Sequence, residues 1–527
     1  MKKVTTLLLA IGIAASTAYS QSKVFNEVNS GISTQVSAIS QNSAVIGYLA
    51  FTRLEKITDE EFNYRISLMD ENLNDIGTIN FKEKDLMLQH VAFEQDVICL
   101  SYVKPDWGKR VVRKKKQKDE PAPDRKNSLL LQFVSLDGKI IGTDSIPVTV
   151  VVERASELKQ TGPAAKFKSK PQLMSVPNHG FVSVFGDKKG VELSFYSSQG
   201  KQIWKKKVEE DIAGDISILT SDSSVYLLTN GKENKNIRRS DVPNSFEILG
   251  YNVKEGSAYA KRVIKDKKGH QLELLAFGTD PATGKPFMSG VLKGTRGSAS
   301  NYSPNSLMRG EYAGLFTYDI TGTQKQDMKE TFTYWDDNSN AQITQKGFNI
   351  EHNSYPLIQN SFRDFEGNTY FAADGIRRKV RPGRIIGSLF IVPLSVFNPV
   401  ILLTVGTRSA KLGDPLIYKL GANGQLTTST IFEGEKSKWY PARSPLYYTG
   451  SKSYLPVANS DLKQQYLVVN ETNKSSIYNV ATKKVVRSIP TSDKNIVRGV
   501  TRAKDGHILI TEYNKKEKYT RISIEAL

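Results

Sequence analysis

Apolar and aromatic residues alternate with polar ones along most of this chain, and seven short stretches repeat one version of that alternation. They are Ile66-Ser67-Leu68-Met69, Leu131-Gln132-Phe133-Val134, Leu193-Ser194-Phe195-Tyr196, Leu249-Gly250-Tyr251-Asn252, Leu315-Phe316-Thr317-Tyr318, Leu416-Ile417-Tyr418-Lys419 and Ser476-Ile477-Tyr478-Asn479. In each, a run of period two leads into a polar turn and a second such run, the pattern of paired β-strands. No long stretch places apolar residues at i, i+3, i+4 and i+7, so amphipathic helices are not the building material. Self-similarity at a fixed period, with four strands per unit, predicts a propeller.

The turns set the period. Glycine closes them at Gly138, Gly200, Gly256, Gly322 and Gly424, with spacings of 62, 56, 66 and 102 residues. A tight hairpin turn often needs positive φ, which glycine adopts without a Cβ penalty. Leu73 and Lys483 hold the equivalent position in the flanking copies, 65 and 59 residues from their neighbours. Upstream of each repeated pair lies an inner half of two further strands around a turn, as in 175–184, 216–228 and 365–371. A last inner half, 498–510 around Asp505-Gly506, precedes a lone strand at 519–524. That makes eight units, the last incomplete, and 24–28 is the segment that supplies its outer strand. Such closure removes the unpaired sheet edges of an open ring. The predicted fold is all-β, a single β-propeller of eight four-stranded blades closed by pairing of the N- and C-terminal strands. A seven-bladed ring, with the last unit merged into the first, and two stacked β domains are the alternatives.

Apolar residues at 39% and aromatics at 9% supply a sizeable core for 527 residues. Length alone favours several domains, but the evenly spread repeat favours one closed domain over 21–527. The N-terminus reads differently. Lys2 and Lys3 form a positive region, Val4 to Ser16 an apolar one, and Ala18-Tyr19-Ser20 fits small-x-small cleavage before Gln21. Residues 1–20 are therefore expected to be a signal peptide, with the periplasm as the destination and the cell surface or medium as alternatives. The single cysteine, Cys99, lies in the apolar run Val97-Ile98-Cys99-Leu100 and is expected to be a core thiol.

Charge changes the picture. The formal net charge is +19, and removal of 1–20 leaves +17. Lys109, Arg110, Arg113, Lys114, Lys115, Lys116 and Lys118 place seven positive charges within ten residues, in an inserted loop at about 104–127. Arg377, Arg378, Lys379, Arg381 and Arg384 place five within eight, at the start of a second insertion at about 377–410. These two runs hold 12 of the 17 net positive charges, so the ring itself is not strongly basic; two insertions are. The first continues into Asp119-Glu120-Pro121-Ala122-Pro123-Asp124, a solvated, proline-stiffened run. It reads either as a solvated loop or as a contact for an anionic surface. Interleaved aromatics and a nucleic-acid fold signature are missing, so nucleic acid is not the expected partner.

The second insertion falls in the 102-residue gap and continues as 385–406, 22 residues without a charge that include Phe390 and Phe397. That length is enough for a membrane span. Pro393 and Pro399 interrupt it, and repeat copies lie on both sides, so a span would break the ring. It reads instead as a strand pair packed over the propeller, a hairpin in shallow contact with a membrane interface, or a protein-docking patch.

Catalytic signals are weak. The five histidines are His90, His179, His270, His352 and His507, and none forms a His-x-x-x-His pair. Cys-x-x-Cys, Gly-x-Ser-x-Gly and phosphate-binding glycine loops do not occur. No catalytic residue, metal or cofactor is therefore assigned. Taken together, the leader and the degenerate repeat make the chain resemble exported bacterial β-propeller proteins of unassigned function, over nearly all of its mature length. The expected role is a non-enzymatic exported binding or scaffolding protein of the cell envelope. It would contact a partner protein or an anionic surface through blade loops and the residues Lys109, Arg110, Arg113, Lys114, Lys115, Lys116, Arg377, Arg378, Lys379, Arg381, Arg384, Phe390 and Phe397. The alternative is an envelope hydrolase or lyase acting on a glycan or peptide with carboxylates gathered at the channel.

Overall fold

In the computed structural model the described residues are 21–26, 33–41, 44–58, 61–84, 86–105, 125–150, 169–187, 190–208, 216–230, 245–293, 312–320, 328–337, 343–380, 408–434, 440–441 and 452–527. They form eight antiparallel sheets arranged as a closed β-propeller. In chain order the blades span 33–84, 87–150, 169–208, 217–265, 271–334, 355–430 and 453–490, and the eighth is made by 496–526 with Gln21–Asn26. Each blade is a four-stranded meander; the sixth gains a two-residue fifth strand, Tyr440–Pro441, against Ser409 and Ala410. The first strands of successive blades pack on one another and line the channel.

All seven repeated segments are third strands. The reason lies in burial. A third strand is covered on both faces by neighbouring blades, so Ser245–Asn252 is buried at seven of eight positions. The outermost strand alternates instead, as Gln202–Val208 does with Trp204 and Val208 inward. Two-sided burial is what makes the third strand the most recognisable part of each unit.

The core is a ring of eight apolar clusters, one at each blade interface. Cys99 sits in the cluster between blades 2 and 3, fully buried, and burial pushes its thiol up. The last cluster closes the circle, packing Tyr48 and Met69 of blade 1 on Leu509 and Ile522 of blade 8. Closure itself is made by Gln21–Asn26 on the outside of Tyr519–Ala526, in register from Gln21↔Ile524 to Asn26↔Tyr519. The outer strand thus starts three residues before the expected Val24.

The period-setting turns adopt the expected backbone. Gly138, Gly200, Gly256 and Gly424 have φ of 84°, 77°, 63° and 82°, and Leu73 and Lys483 are held at 65° and 56°. Gly322 lies outside the described residues. At Gly256 the requirement is also steric, because an added Cβ would stand 2.6 Å from the Trp204 ring of the preceding blade. That ring is pinned by its own indole N–H, which donates to Val253 O at 2.7 Å. At Gly424 nothing lies within 4 Å. Gly256→Ala is expected to cost about 2–4 kcal/mol, left-handed strain plus overpacking, and Gly424→Ala only about 1–2 kcal/mol. Chemical denaturation of both variants checks the difference.

Candidate functional site

In a four-stranded meander, the connections from first to second strand and from third to fourth leave from one face. Those from second to third strand, and on to the next blade, leave from the other. On the first face every connection is short, none longer than 321–327. All the long connections, 106–124, 151–168, 231–244, 294–311, 381–407 and those ahead of blades 6 and 7, belong to the second face. Both basic segments are second-to-third connections, of blades 2 and 6, and so share it.

Strand pairing runs further into both insertions than alternation alone predicts. In blade 2, Val97–Pro105 and Arg125–Ser135 pair out to Pro105↔Asn127. In blade 6, Thr369–Val380 and Arg408–Leu420 pair out to Val380↔Arg408. Arg377, Arg378 and Lys379 are therefore strand residues rather than loop residues. Inter-strand hydrogen bonds continue through polar side chains, which apolar periodicity cannot register. Lys109, Arg110, Arg113, Lys114, Lys115, Lys116, Arg381, Arg384, Phe390 and Phe397 lie outside the described residues. The structure brings Arg377, Arg378 and Lys379 onto one strand, and of these it describes the Arg377 side chain. That guanidinium is half-exposed and pairs with Asp414 of the facing strand, Nη2 to Oδ2 at 3.4 Å.

The foot of this hairpin is anchored by a buried ionic cluster that no sequence signal marks. The register shifts between Asp374 and Ile376, and Asp374 turns into the blade 6–7 interface, where it is fully buried. Its carboxylate receives the Lys452 ammonium at 3.3 Å, the Lys452 N–H at 3.2 Å, the Tyr454 hydroxyl at 2.8 Å and the Gln359 amide at 2.5 Å. Burial pushes the Asp374 carboxyl up, against the opposing pull of Lys452. Lys452 also donates to Gly413 O at 3.1 Å. The base of the hairpin is thus tied to the adjacent blade from both of its strands.

The inner strands form a recess of about 600 Å³ lined by Ser40, Val91, Leu173, Thr220, Asp222 and Thr279, among others. Among the described residues, Asp222 is the one carboxylate in that lining. Among the described residues no group of three or more His, Cys, Asp or Glu is placed to hold a metal ion. Three of the histidines make local contacts. His270 Nδ1 lies 2.5 Å from Asp266 Oδ2, His352 bonds Thr430 at 3.2 Å, and His507 lies 2.6 Å from Asp505 O. Burial pushes Asp266 up, but the Tyr334 hydroxyl and the His270 N–H outweigh it and hold its carboxyl below the usual range. No helix among the described residues is long and apolar enough to cross a membrane.

A second concavity lies on the short-turn face between blades 6 and 7. It is a cleft of about 720 Å³ whose walls are four hairpin turns and the strands leading into them.

Residues 1–115 match the model of a family of unknown function, DUF6770. That span takes in the closing strand Gln21–Asn26, blade 1 and the first two strands of blade 2. No curated protein matches the sequence. The WD40 domain of SCAP from fission yeast is similar in structure at 9% identity and a TM-score of 0.40, over 96% of this chain and 98% of that one. Apo AztD from Citrobacter koseri is similar at 8% and 0.36, over 92% and 96%. Quinohemoprotein alcohol dehydrogenase from Comamonas testosteroni is similar at 10% and 0.38, over 95% and 78%. At these values none of the three bears on what this chain does.

Proposed function

We propose that this chain is an exported, non-enzymatic binding module of the cell envelope, and that its contact surface is the long-connection face. One observation carries the reading. Both basic segments, and the uncharged run 385–406 that follows the second, leave the ring on that face, while the opposite face is closed by short turns. A face from which two basic connections and an uncharged, largely apolar run depart suits an anionic, partly apolar surface such as acidic lipid headgroups, which attract polybasic segments. The buried Asp374–Lys452 pair supports the same reading by fixing the base of the blade 6 hairpin. The leader-like composition of residues 1–20 fits export. Cleavage before Gln21 would leave the closing strand Gln21–Asn26 whole.

The test is co-sedimentation of residues 21–527 with neutral and anionic vesicles. The comparison is a variant in which 381–407 is replaced by Asn-Gly across the Val380↔Arg408 pair. The intact chain is expected to bind anionic vesicles and to release them as salt rises. With about 1 kcal/mol contributed by each lost cation near the surface, the variant should bind roughly ten- to thirtyfold more weakly. Its thermal unfolding should match the parent, because blade 6 retains all its registered strands. Equal binding by both forms, or binding indifferent to vesicle charge, would refute the assignment of the contact surface.

A further inference from the structure

The cleft between blades 6 and 7 lies on the face opposite the proposed contact surface and is unused by that reading. Its polar groups divide into two sets. The buried acid is consumed locally. Asp364 accepts from the Glu366 and Asn368 N–H groups, each at 2.9 Å, and from the Asn368 amide and Tyr370 hydroxyl at 2.8 and 2.9 Å. Glu366 accepts from the Asn368 amide at 3.1 Å. Asp364 is buried and spent in shaping the turn, while Glu366 is an exposed carboxylate on the cleft rim, bonded through one oxygen only.

The other set is unspent. Lys463 and Lys483 stand on turns of blade 7, line the cleft, are exposed, and carry no ion pair among the described residues. Lys483 is moreover held at φ 56°, so the turn keeps a strained lysine where four other blades use glycine. Deeper in the same cleft, Gln465 is 5% exposed and its Oε1 is buried without a hydrogen-bond partner. A buried amide oxygen without a donor is costly and rare in folded proteins. The half-buried Phe365 and the buried Val480 add apolar surface to the wall.

The complement of this arrangement is one ligand that brings an anion for the lysines, a hydroxyl to donate to Gln465 Oε1, and a C–H face for Phe365. We propose that the cleft binds an anionic saccharide, a sugar bearing a carboxylate or sulfate. Its acidic group sits between Lys463 and Lys483, and one hydroxyl donates to Gln465. The volume of about 720 Å³ accommodates a unit of this size, within the usual range for small-ligand sites.

Calorimetric titration of residues 21–527 with trigalacturonate, with neutral galactotriose and with inorganic phosphate tests the proposal. Trigalacturonate is expected to bind, galactotriose to bind at least tenfold more weakly, and phosphate not to displace the saccharide at equal concentration, since it lacks the ring hydroxyls. Lys463→Gln combined with Lys483→Gln, both exposed and so harmless to folding, should weaken trigalacturonate binding by roughly tenfold or more. Gln465→Leu should weaken it by about five- to a hundredfold, the range for loss of one buried hydrogen bond. Absence of binding, displacement by phosphate alone, or affinity unchanged in the lysine variant would overturn the proposal. The last result would place the contact on the basic hairpins instead. The variant with 381–407 replaced separates the two sites, because it should keep full affinity for trigalacturonate.

Discussion

Removal of Gln21–Asn26 will open the ring. A chain beginning at residue 27 is expected to lose roughly 5 kcal/mol or to be recovered as soluble oligomer and aggregate. The strand makes six registered pairs with Tyr519–Ala526, and each backbone hydrogen bond contributes about 1 kcal/mol net. It also carries Phe25, which packs into the cluster joining blade 8 to blade 1, and Lys23, which pairs with Asp75 of blade 1. A loss of that size is comparable with the whole stability of an ordinary domain. The edge left bare would be Tyr519–Ala526, a flat strand open to pairing with a second chain. A synthetic peptide of residues 21–26 added in trans should restore a single cooperative transition by strand addition. If the truncated chain melts with the parent and stays monomeric, closure by this strand is not what holds the ring.

Arg363→Leu is the second large effect. Arg363 ends the inner strand of blade 6 and is 9% exposed at the interface with blade 5. Its guanidinium donates to Asp280 Oδ2 at 2.9 Å, pairs with Asp319, and lies 4.6 Å from the Phe287 ring centroid. Removing it strands two carboxylates, one of them at Asp280 buried with no other cation beside it among the described residues. Breaking a buried pair from one side costs about 3–5 kcal/mol. Asp280→Asn added to Arg363→Leu should recover much of the loss. The amide keeps the Oδ1 acceptor that caps the turn through Ala282 and Thr283 at 2.8 and 3.0 Å, while the uncompensated charge is gone. Denaturant midpoints of the single and double variants decide the matter. Equal midpoints for parent and Arg363→Leu would mean that the apolar cluster alone joins blades 5 and 6.

The fold was legible where burial leaves a local imprint. Third strands buried on both faces repeat as apolar and aromatic runs, so Leu193 to Tyr196 and its six counterparts announce the period. Turn glycines at positive φ fix the boundaries. Even the two positions without glycine, Leu73 and Lys483, were found by spacing, because the turn geometry is the same and the chain tolerates the strain there. The closing strand was legible as a position but displaced by three residues, since an outer strand is half-exposed and its polar ends, Gln21 and Ser22, look like loop.

The site was legible only in part. Two basic runs stand out in composition, and their common face follows from both being second-to-third connections once the strands are counted. The buried groups left no comparable mark. Asp374 and Lys452 are 78 residues apart, and nothing in their neighbourhoods distinguishes them from the charged residues of any turn. Gln465 sits in a run of strand residues and reads as an outward-facing polar position. It is buried because blade 6 covers it.

The sequence by itself determined the all-β pattern and the two places where charge accumulates, and it favoured eight units and closure of the ring by the terminal strands. Each of these depends on properties of neighbouring residues: pleat alternation, φ at a turn, and runs of like charge. The tertiary structure alone decided which polar groups meet across blade interfaces, which carboxylates bond inside turns, and which lysines and amide oxygen have no partner among the described residues. Those outcomes depend on how two sheets, distant in sequence, are rotated against each other, and a contact of that kind leaves no local pattern for a sequence to repeat.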